Sequence, residues 1–262
     1  MKSEDTSKTD KTVYSIPSDR LIRRVILCCF GIEVLCVLLD LLFAFTSWIP
    51  VIELRKIFDM TREGSVGTWL SVILSLLVGS ALLLIFLTVR AGDRSRRQAI
   101  GWLVLSLFFI YMSLDDCAYI HERSGDFLDR MVSSDALPLG LSGVVARFPT
   151  YYWQLILGPL YAAMGLFMLY FVWQRFGEFR LRKYMVFSLM GLAAAVLIDF
   201  VEGTGRGIYR ITRVTGMSER SAFHLIMLIE ESLEILGLII LLYAFMKYLS
   251  LLVQGKTLSI ER

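Results

Sequence analysis

The sequence has few charged residues for its length. Charged residues make up 19% of the 262 positions and apolar residues 56%, whereas soluble proteins average about 25% charged and about 45–50% apolar. This composition is typical of a protein that is solvated by lipid. The formal net charge is only +3, and the basic residues lie between apolar runs. We therefore expect no nucleic-acid partner.

The sequence also lacks the short motifs that would name a reaction. Cys28, Cys29 and Cys36 lie within the first apolar run, and together with Cys117 they form no CxxC pair, so we interpret them as packed side chains. There is no HExxH element of a zinc protease and no Glu-x-x-His element of a ferritin-like bundle. The glycine cluster at 203–207 has neither Rossmann nor P-loop spacing.

What the sequence does contain is a set of long apolar runs. Each is close to the roughly 20 residues that an α-helix needs to cross a hydrocarbon core of about 30 Å. They predict an all-α membrane protein, a six-transmembrane-helix bundle that forms one domain over residues 20–250. The runs are 25–49, 67–89, 99–120, 151–173, 184–201 and 222–245.

Basic residues lie in alternate gaps between these runs. They precede the first run and follow the second, the fourth and the sixth, which places those gaps in the cytoplasm by the positive-inside rule. The rule predicts cytoplasmic N and C termini in a bacterial inner (plasma) membrane. We expect residues 1–19 to form a disordered cytoplasmic tail, because they are polar, and residues 251–262 to form a short cytoplasmic tail.

Ionisable residues are unusually frequent inside the apolar runs. Each costs about 2.5–3.5 kcal/mol at the bilayer centre, so such residues usually mark a function. Residues three or seven apart share a helix face. The pairs seven apart are Glu33 and Asp40, Asp115 and Glu122, and His224 and Glu231, and the pairs three apart are Asp199 and Glu202, and Glu231 and Glu234. They give four helices an acidic stripe, and the predicted topology places every member except Glu33 in the outer half of the membrane. The residues are Glu33, Asp40, Asp115, Asp116, His121, Glu122, Asp199, Glu202, His224, Glu230, Glu231 and Glu234.

Clustered carboxylates in a low dielectric need a compensating cation. A divalent metal, Zn, Fe or Mn, is one such cation, and carboxylates with imidazoles are suitable ligands. Such an ion would activate water for hydrolysis of a membrane lipid or a lipid-linked substrate. In this hypothesis Glu230 or Asp199 is the general base, and the expected metal ligands are Asp115, His121, Glu122, His224, Glu231 and Glu234.

Other interpretations remain open from the sequence. The same carboxylates suit a cation- or proton-coupled transporter or channel, although Glu33 alone represents the inner half. His121 and His224 are the only histidines and suit bis-imidazole haem ligation. A non-catalytic scaffold would use the carboxylates to contact a partner, and any single carboxylate near a helix end is also explained by contact with headgroup water.

Overall fold

The computed structural model describes residues 18–46, 50–92, 96–138, 141–177 and 180–260. Within these ranges the chain is helical and contains no strand, which confirms the all-α prediction. The helices are α1 (Ser18–Phe45), α2 (Ile52–Phe58), α3 (Val66–Arg90), α4 (Arg96–Ala118), α5 (Ile120–Ser133), α6 (Ser142–Val145), α7 (Tyr152–Phe176), α8 (Arg182–Gly203), α9 (Arg206–Thr215) and α10 (Glu219–Ile260).

Five of the described helices, α1, α3, α4, α7 and α8, are long and apolar enough to cross a membrane. They correspond to the first five predicted runs. The sixth run lies inside α10, a helix of 42 residues. The three glutamates of this run, Glu230, Glu231 and Glu234, lie in the first half of α10.

The chain ends differ from the predicted tails. Residues 1–17 of the predicted N-terminal tail lie outside the described residues, whereas Ser18 and Asp19 belong to α1. At the other end α10 continues to Ile260, so the backbone of residues 251–260 is helical. An ion pair joins the first helix to the last, because Lys247 Nζ of α10 lies 2.7 Å from Asp19 Oδ1 of α1.

Serine hydroxyls join the long helices in antiparallel pairs. Between α3 and α4, Ser106 donates to the Gly79 carbonyl at 2.8 Å, and Ser113 donates to the Val72 carbonyl at 2.9 Å. Between α8 and α10, Ser188 donates to the Gly237 carbonyl at 2.7 Å. Small residues at these crossings allow the backbones to approach closely.

The antiparallel order creates two chemically distinct ends. At one end, here called the acidic end, α1, α4 and α8 finish while α3, α7 and α10 begin. The four short helices α2, α5, α6 and α9 occupy the connections at this end. They lie in three of the gaps between the predicted apolar runs.

The α4–α5 junction differs from the sequence prediction. The third run was expected to extend through Ile120 and to carry His121 and Glu122 at its end. Instead α4 stops at Ala118, Tyr119 adopts a left-handed conformation with φ 55°, and α5 begins at Ile120. The assumed seven-residue periodicity from Asp115 to Glu122 was therefore wrong, because the two residues lie on different helices.

Candidate metal centre at the acidic end

The reversal at Tyr119 brings His121 back onto the end of α4. The His121 backbone N–H donates to Asp115 Oδ1 at 2.8 Å, and Asp115 Oδ2 lies 3.2 Å from His121 Nδ1. The Asp115 carboxylate thus caps the first turn of α5 and also orients the imidazole ring. Asp115 is only 1% exposed, so this contact is shielded from water.

Residues of α7 complete the support of this pair. The Tyr161 hydroxyl donates to Asp115 Oδ2 at 2.5 Å, which satisfies the same carboxylate from a second helix. The Trp153 ring meets the His121 ring edge-on, with 5.4 Å between the centroids. Because Asp115 occupies Nδ1, Nε2 is the nitrogen that remains for a ligand.

Glu63 and Glu122 lie beside this imidazole. One carboxylate oxygen of each and one ring nitrogen of His121 all lie within 4.8 Å of one another. Both glutamates are exposed, while His121 is partly buried. A metal-bound histidine usually gives its second nitrogen to a carboxylate or a carbonyl, which is the relation of His121 to Asp115. These three residues are therefore candidates to hold a metal ion.

The charges of the centre shift two pKa values in the residues between the long helices. Burial acts to lower the pKa of His121, but the hydrogen bond with Asp115 and the charges of Asp115, Asp116 and Glu122 raise it to about 9. Desolvation, reinforced by Glu122 and opposed by His121, raises the pKa of Glu63 to about 7. The centre therefore holds protons that a metal ion would displace.

Further carboxylates lie beside this centre, between α3, α4 and α10. Asp116 accepts a hydrogen bond of 2.7 Å from Ser71 of α3, and the same hydroxyl lies 3.5 Å from Glu234 of α10. Glu231 and Glu234 are electrostatic neighbours of Asp116 and Glu63. Glu231 and Glu234 of α10 therefore lie near Asp116 of α4.

The two candidate bases occupy different positions around the centre. Asp199 accepts a 2.5 Å hydrogen bond from Gln154 and is an electrostatic neighbour of His121 and Glu122. The neighbours of Glu230 are Asp199, Glu202 and Glu234. Asp199 is therefore the candidate that is electrostatically coupled to the imidazole.

The structure does not bring His224 to this centre. His224 Nε2 lies 2.7 Å from Asp40 Oδ2, and its ring belongs to a group with Asp40 and Asp59. The two histidines are thus each hydrogen-bonded to an aspartate of a different helix. This arrangement does not favour the haem hypothesis, because bis-imidazole ligation needs both rings to face one iron.

Several contributors were absent from the sequence hypothesis. Glu63 lies outside the predicted apolar runs and was not assigned to the site, and Tyr161, Gln154 and Ser71 were counted as ordinary residues of those runs. One signal was available, since Ser71 and Gln154 are polar residues within such runs. The contribution of Glu63 depends on the fold of the α2–α3 connection, which sequence spacing does not encode.

The helices and this centre define a helical membrane protein with a carboxylate–histidine cluster at one end. The chain belongs to the family described as Domain of unknown function (DUF8692), whose model matches residues 28–249. Neither a curated protein nor a solved structure matches the chain.

Proposed function

We propose that the protein is a divalent-metal-dependent membrane hydrolase that acts on a lipid or lipid-linked substrate. The observation that supports this function is the His121 imidazole, which is oriented through Nδ1 by a buried aspartate and lies within ligand spacing of two exposed glutamates. The expected metal is Zn, Fe or Mn, because one imidazole with carboxylates suits these ions.

In this proposal His121 Nε2, Glu63 and Glu122 are the metal ligands. Asp115 holds the imidazole orientation, and it binds His121 through both carboxylate oxygens. Three protein ligands would leave a coordination position for water, as catalytic zinc sites require. Asp116, Glu231 and Glu234 are further carboxyl groups beside this set, and a bound cation would favour their ionised form.

A divalent ion in this position would lower the pKa of bound water and supply a hydroxide nucleophile. Asp199 is the proposed general base and acid, because it is electrostatically coupled to His121 and Glu122. It would take the proton from the attacking water and return it to the leaving alkoxide after the ester bond breaks. Gln154 holds the Asp199 carboxylate in place from α7. Glu230 would influence Asp199 indirectly as its electrostatic neighbour.

The membrane arrangement in the proposal is a multi-pass bacterial inner-membrane protein with six crossings. The sixth crossing is the predicted 222–245 run, which lies inside α10. The positive-inside rule then puts both termini in the cytoplasm and the acidic end at the outer face. A substrate at that face would be a membrane lipid or a lipid-linked molecule whose polar headgroup reaches the exposed Glu63 and Glu122.

Cation or proton transport is the second candidate, and Glu33 is the observation that favours it. This α1 residue is 5% exposed, and its Oε2 atom has no hydrogen-bond partner among the described residues. An intramembrane carboxylate of this kind is typical of proton relays. Glu33→Gln is expected to abolish a proteoliposome cation flux if this candidate is correct, and to leave lipid hydrolysis unchanged if the hydrolase is correct.

Metal content is the first test of the hydrolase. Protein purified in detergent without chelator, as wild type, His121→Gln and Asp129→Asn, is analysed for bound metal and for release of products from lipid vesicles. We expect His121→Gln to lose one metal equivalent and at least about 100-fold in hydrolysis, because it removes a ligand. Asp129→Asn changes an exposed carboxylate on the same helix, α5, and should retain both.

Two results would contradict the proposal. Wild-type protein that binds no divalent metal even after incubation with Zn²⁺, Mn²⁺ and Fe²⁺ would exclude the metal centre. A His121→Gln protein with unchanged metal content would show that the metal lies elsewhere. Size-exclusion elution and thermal unfolding of each variant must match those of the wild type.

A further inference from the structure

A second histidine–carboxylate group lies at the acidic end and shares no residue with the centre at His121. Its histidine, His224, lies in the second turn of α10, and its aspartates come from α1 and from the segment after α2. We propose that His224 Nδ1 and Asp59, with the Thr61 hydroxyl beside them, form a second divalent-cation site. Asp40 is the residue that orients the histidine.

The Asp40 carboxylate is fully engaged by protein groups. Its Oδ1 atom accepts the Met60 backbone N–H at 2.9 Å, and its Oδ2 atom lies 2.7 Å from His224 Nε2. The Asp40 side chain has 0% exposure. This contact fixes the ring orientation and leaves Nδ1 as the atom that faces outward, as in carboxylate–histidine–metal arrangements.

The spacing on the Nδ1 side suits a shared cation. His224 Nδ1 lies 3.9 Å from Asp59 Oδ1, a distance too long for a hydrogen bond. Two ligand atoms that each lie about 2.0–2.2 Å from one tetrahedral metal ion are about 3.3–3.6 Å apart, so Nδ1 and Oδ1 need to approach each other by only a few tenths of an ångström to share an ion. Thr61 Oγ1 lies 3.5 Å from the same nitrogen and donates to Asp59 Oδ1 at 2.6 Å, so a third ligand atom, an oxygen, is already present.

The surroundings limit how the group can rearrange. The Phe45 ring meets the His224 ring edge-on with 5.8 Å between centroids, which restricts rotation of the imidazole. Two carboxylates, Asp40 and Asp59, face one histidine, and Arg220 is the basic residue in its electrostatic neighbourhood. A neutral imidazole with a divalent ion would balance the two aspartates.

This assignment does not depend on the hydrolase proposal. The site at His121 uses α5 and Glu63, whereas this one uses α1, α10 and Asp59. We therefore expect His121→Gln to abolish metal binding at the first site only, and Asp59→Asn to abolish it at the second site only. Wild-type protein should bind two equivalents, of which one survives when His121 is replaced.

The test is a Zn²⁺ titration by calorimetry on detergent-purified protein in the His121→Gln background. One equivalent is expected to remain, and adding Asp59→Asn should weaken it by more than about 100-fold because a ligand is lost. Adding Glu53→Gln is the matched control, since Glu53 is an exposed carboxylate of α2 that pairs with Lys56 at 2.9 Å. This control should keep the equivalent.

The proposal is overturned if Asp59→Asn retains the remaining equivalent or if the His121→Gln background binds no Zn²⁺. Asp59 has 29% side-chain exposure, so its amide replacement leaves no buried cavity and the variant should fold. Adding His224→Gln instead of Asp59→Asn must give the same loss. If wild type binds one equivalent that only Asp59→Asn removes, the second site stands and the hydrolase proposal fails.

Discussion

At the scale of single residues, Asp115 decides what His121 can do. A carboxylate that accepts both the backbone N–H and the ring contact of one histidine holds that ring in one orientation. The same carboxylate raises the proton affinity of the ring, and this gives the pKa of about 9. Asp115 therefore orients the imidazole for a metal ion and also strengthens proton binding to the imidazole, so a proton competes with the metal ion for His121.

Metal affinity at the His121 centre should depend on pH with a definite sign. His121 and Glu63 hold protons below pKa values of about 9 and about 7, and a metal must displace each proton that is bound. Apparent Zn²⁺ affinity should rise with pH, with about two protons released per ion below pH 7 and about one between pH 7 and 9. Calorimetry in buffers of different ionisation enthalpy counts these protons.

The contribution of each group can be separated by substitution. Glu63→Gln should reduce proton release below pH 7 to about one per ion, while the release between pH 7 and 9 stays the same. These measurements are made in the Asp59→Asn background, because this substitution removes Zn²⁺ binding at the proposed His224 site. An affinity that does not change between pH 6 and 9 would disprove the assignment of His121 as a ligand.

At the scale of elements, α5 is the piece that turns separate residues into a site. It begins after Tyr119, which has a left-handed backbone conformation, and packs against α7. Gly125 approaches Trp153 so closely that an added Cβ would lie 3.1 Å from the backbone nitrogen of Trp153. Trp153 also contacts the His121 ring. The fit of α5 on α7 therefore sets where the imidazole lies.

Gly125→Val should displace α5 without changing a metal ligand. The branched side chain has no space against Trp153, and overpacking of this kind costs about 1–3 kcal/mol. We expect a lower thermal unfolding midpoint and at least about tenfold weaker Zn²⁺ binding at the His121 centre, because ligand sets tolerate little displacement. Thermal unfolding followed by circular dichroism and a Zn²⁺ titration measure both.

Gly143→Val is the matched control for this helix substitution. An added Cβ at Gly143 meets no atom within 4 Å, so both the unfolding midpoint and the metal affinity should stay at wild-type values. Equal metal affinity in the Gly125 and Gly143 variants would show that α5 packing does not position the site.

At the scale of the whole molecule, the direction of each helix determines which residues meet. The antiparallel order puts the ends of α4 and α8 beside the beginnings of α3, α7 and α10. Ser71 contacts both Asp116 and Glu234 for this reason. Ser71 and Glu234 meet in this way although they are 163 positions apart in the chain.

Reporter fusions can test the proposed six-crossing topology. A reporter inserted after Gly92, between α3 and α4, should be cytoplasmic, as should one at the C terminus, because basic residues flank both positions. A reporter inserted after Ala136, at the acidic end, should be outside. A C-terminal reporter on the same side as the Ala136 reporter would show that α10 does not cross the membrane.

Apolar run length and the alternation of basic gaps were sufficient to predict helices, because both signals are local along the chain. They predicted the all-α fold and the five long apolar helices that the structure describes. The hydrophobic requirement of a spanning helix acts on about 20 consecutive residues, so a sequence window contains it. Six crossings and cytoplasmic termini remain predictions from the same signals.

The composition of the site was decided by tertiary structure. Helical periodicity predicted that Asp115 and Glu122 share one helix face, but the left-handed Tyr119 ends α4 between them. The sequence hypothesis grouped His224 with His121 as metal ligands, whereas in the structure His224 of α10 contacts Asp40 of α1. Glu63 and Tyr161 entered the His121 centre through contacts between distant segments. Such contacts depend on helix direction, rotation and connection geometry, which no single stretch of sequence determines.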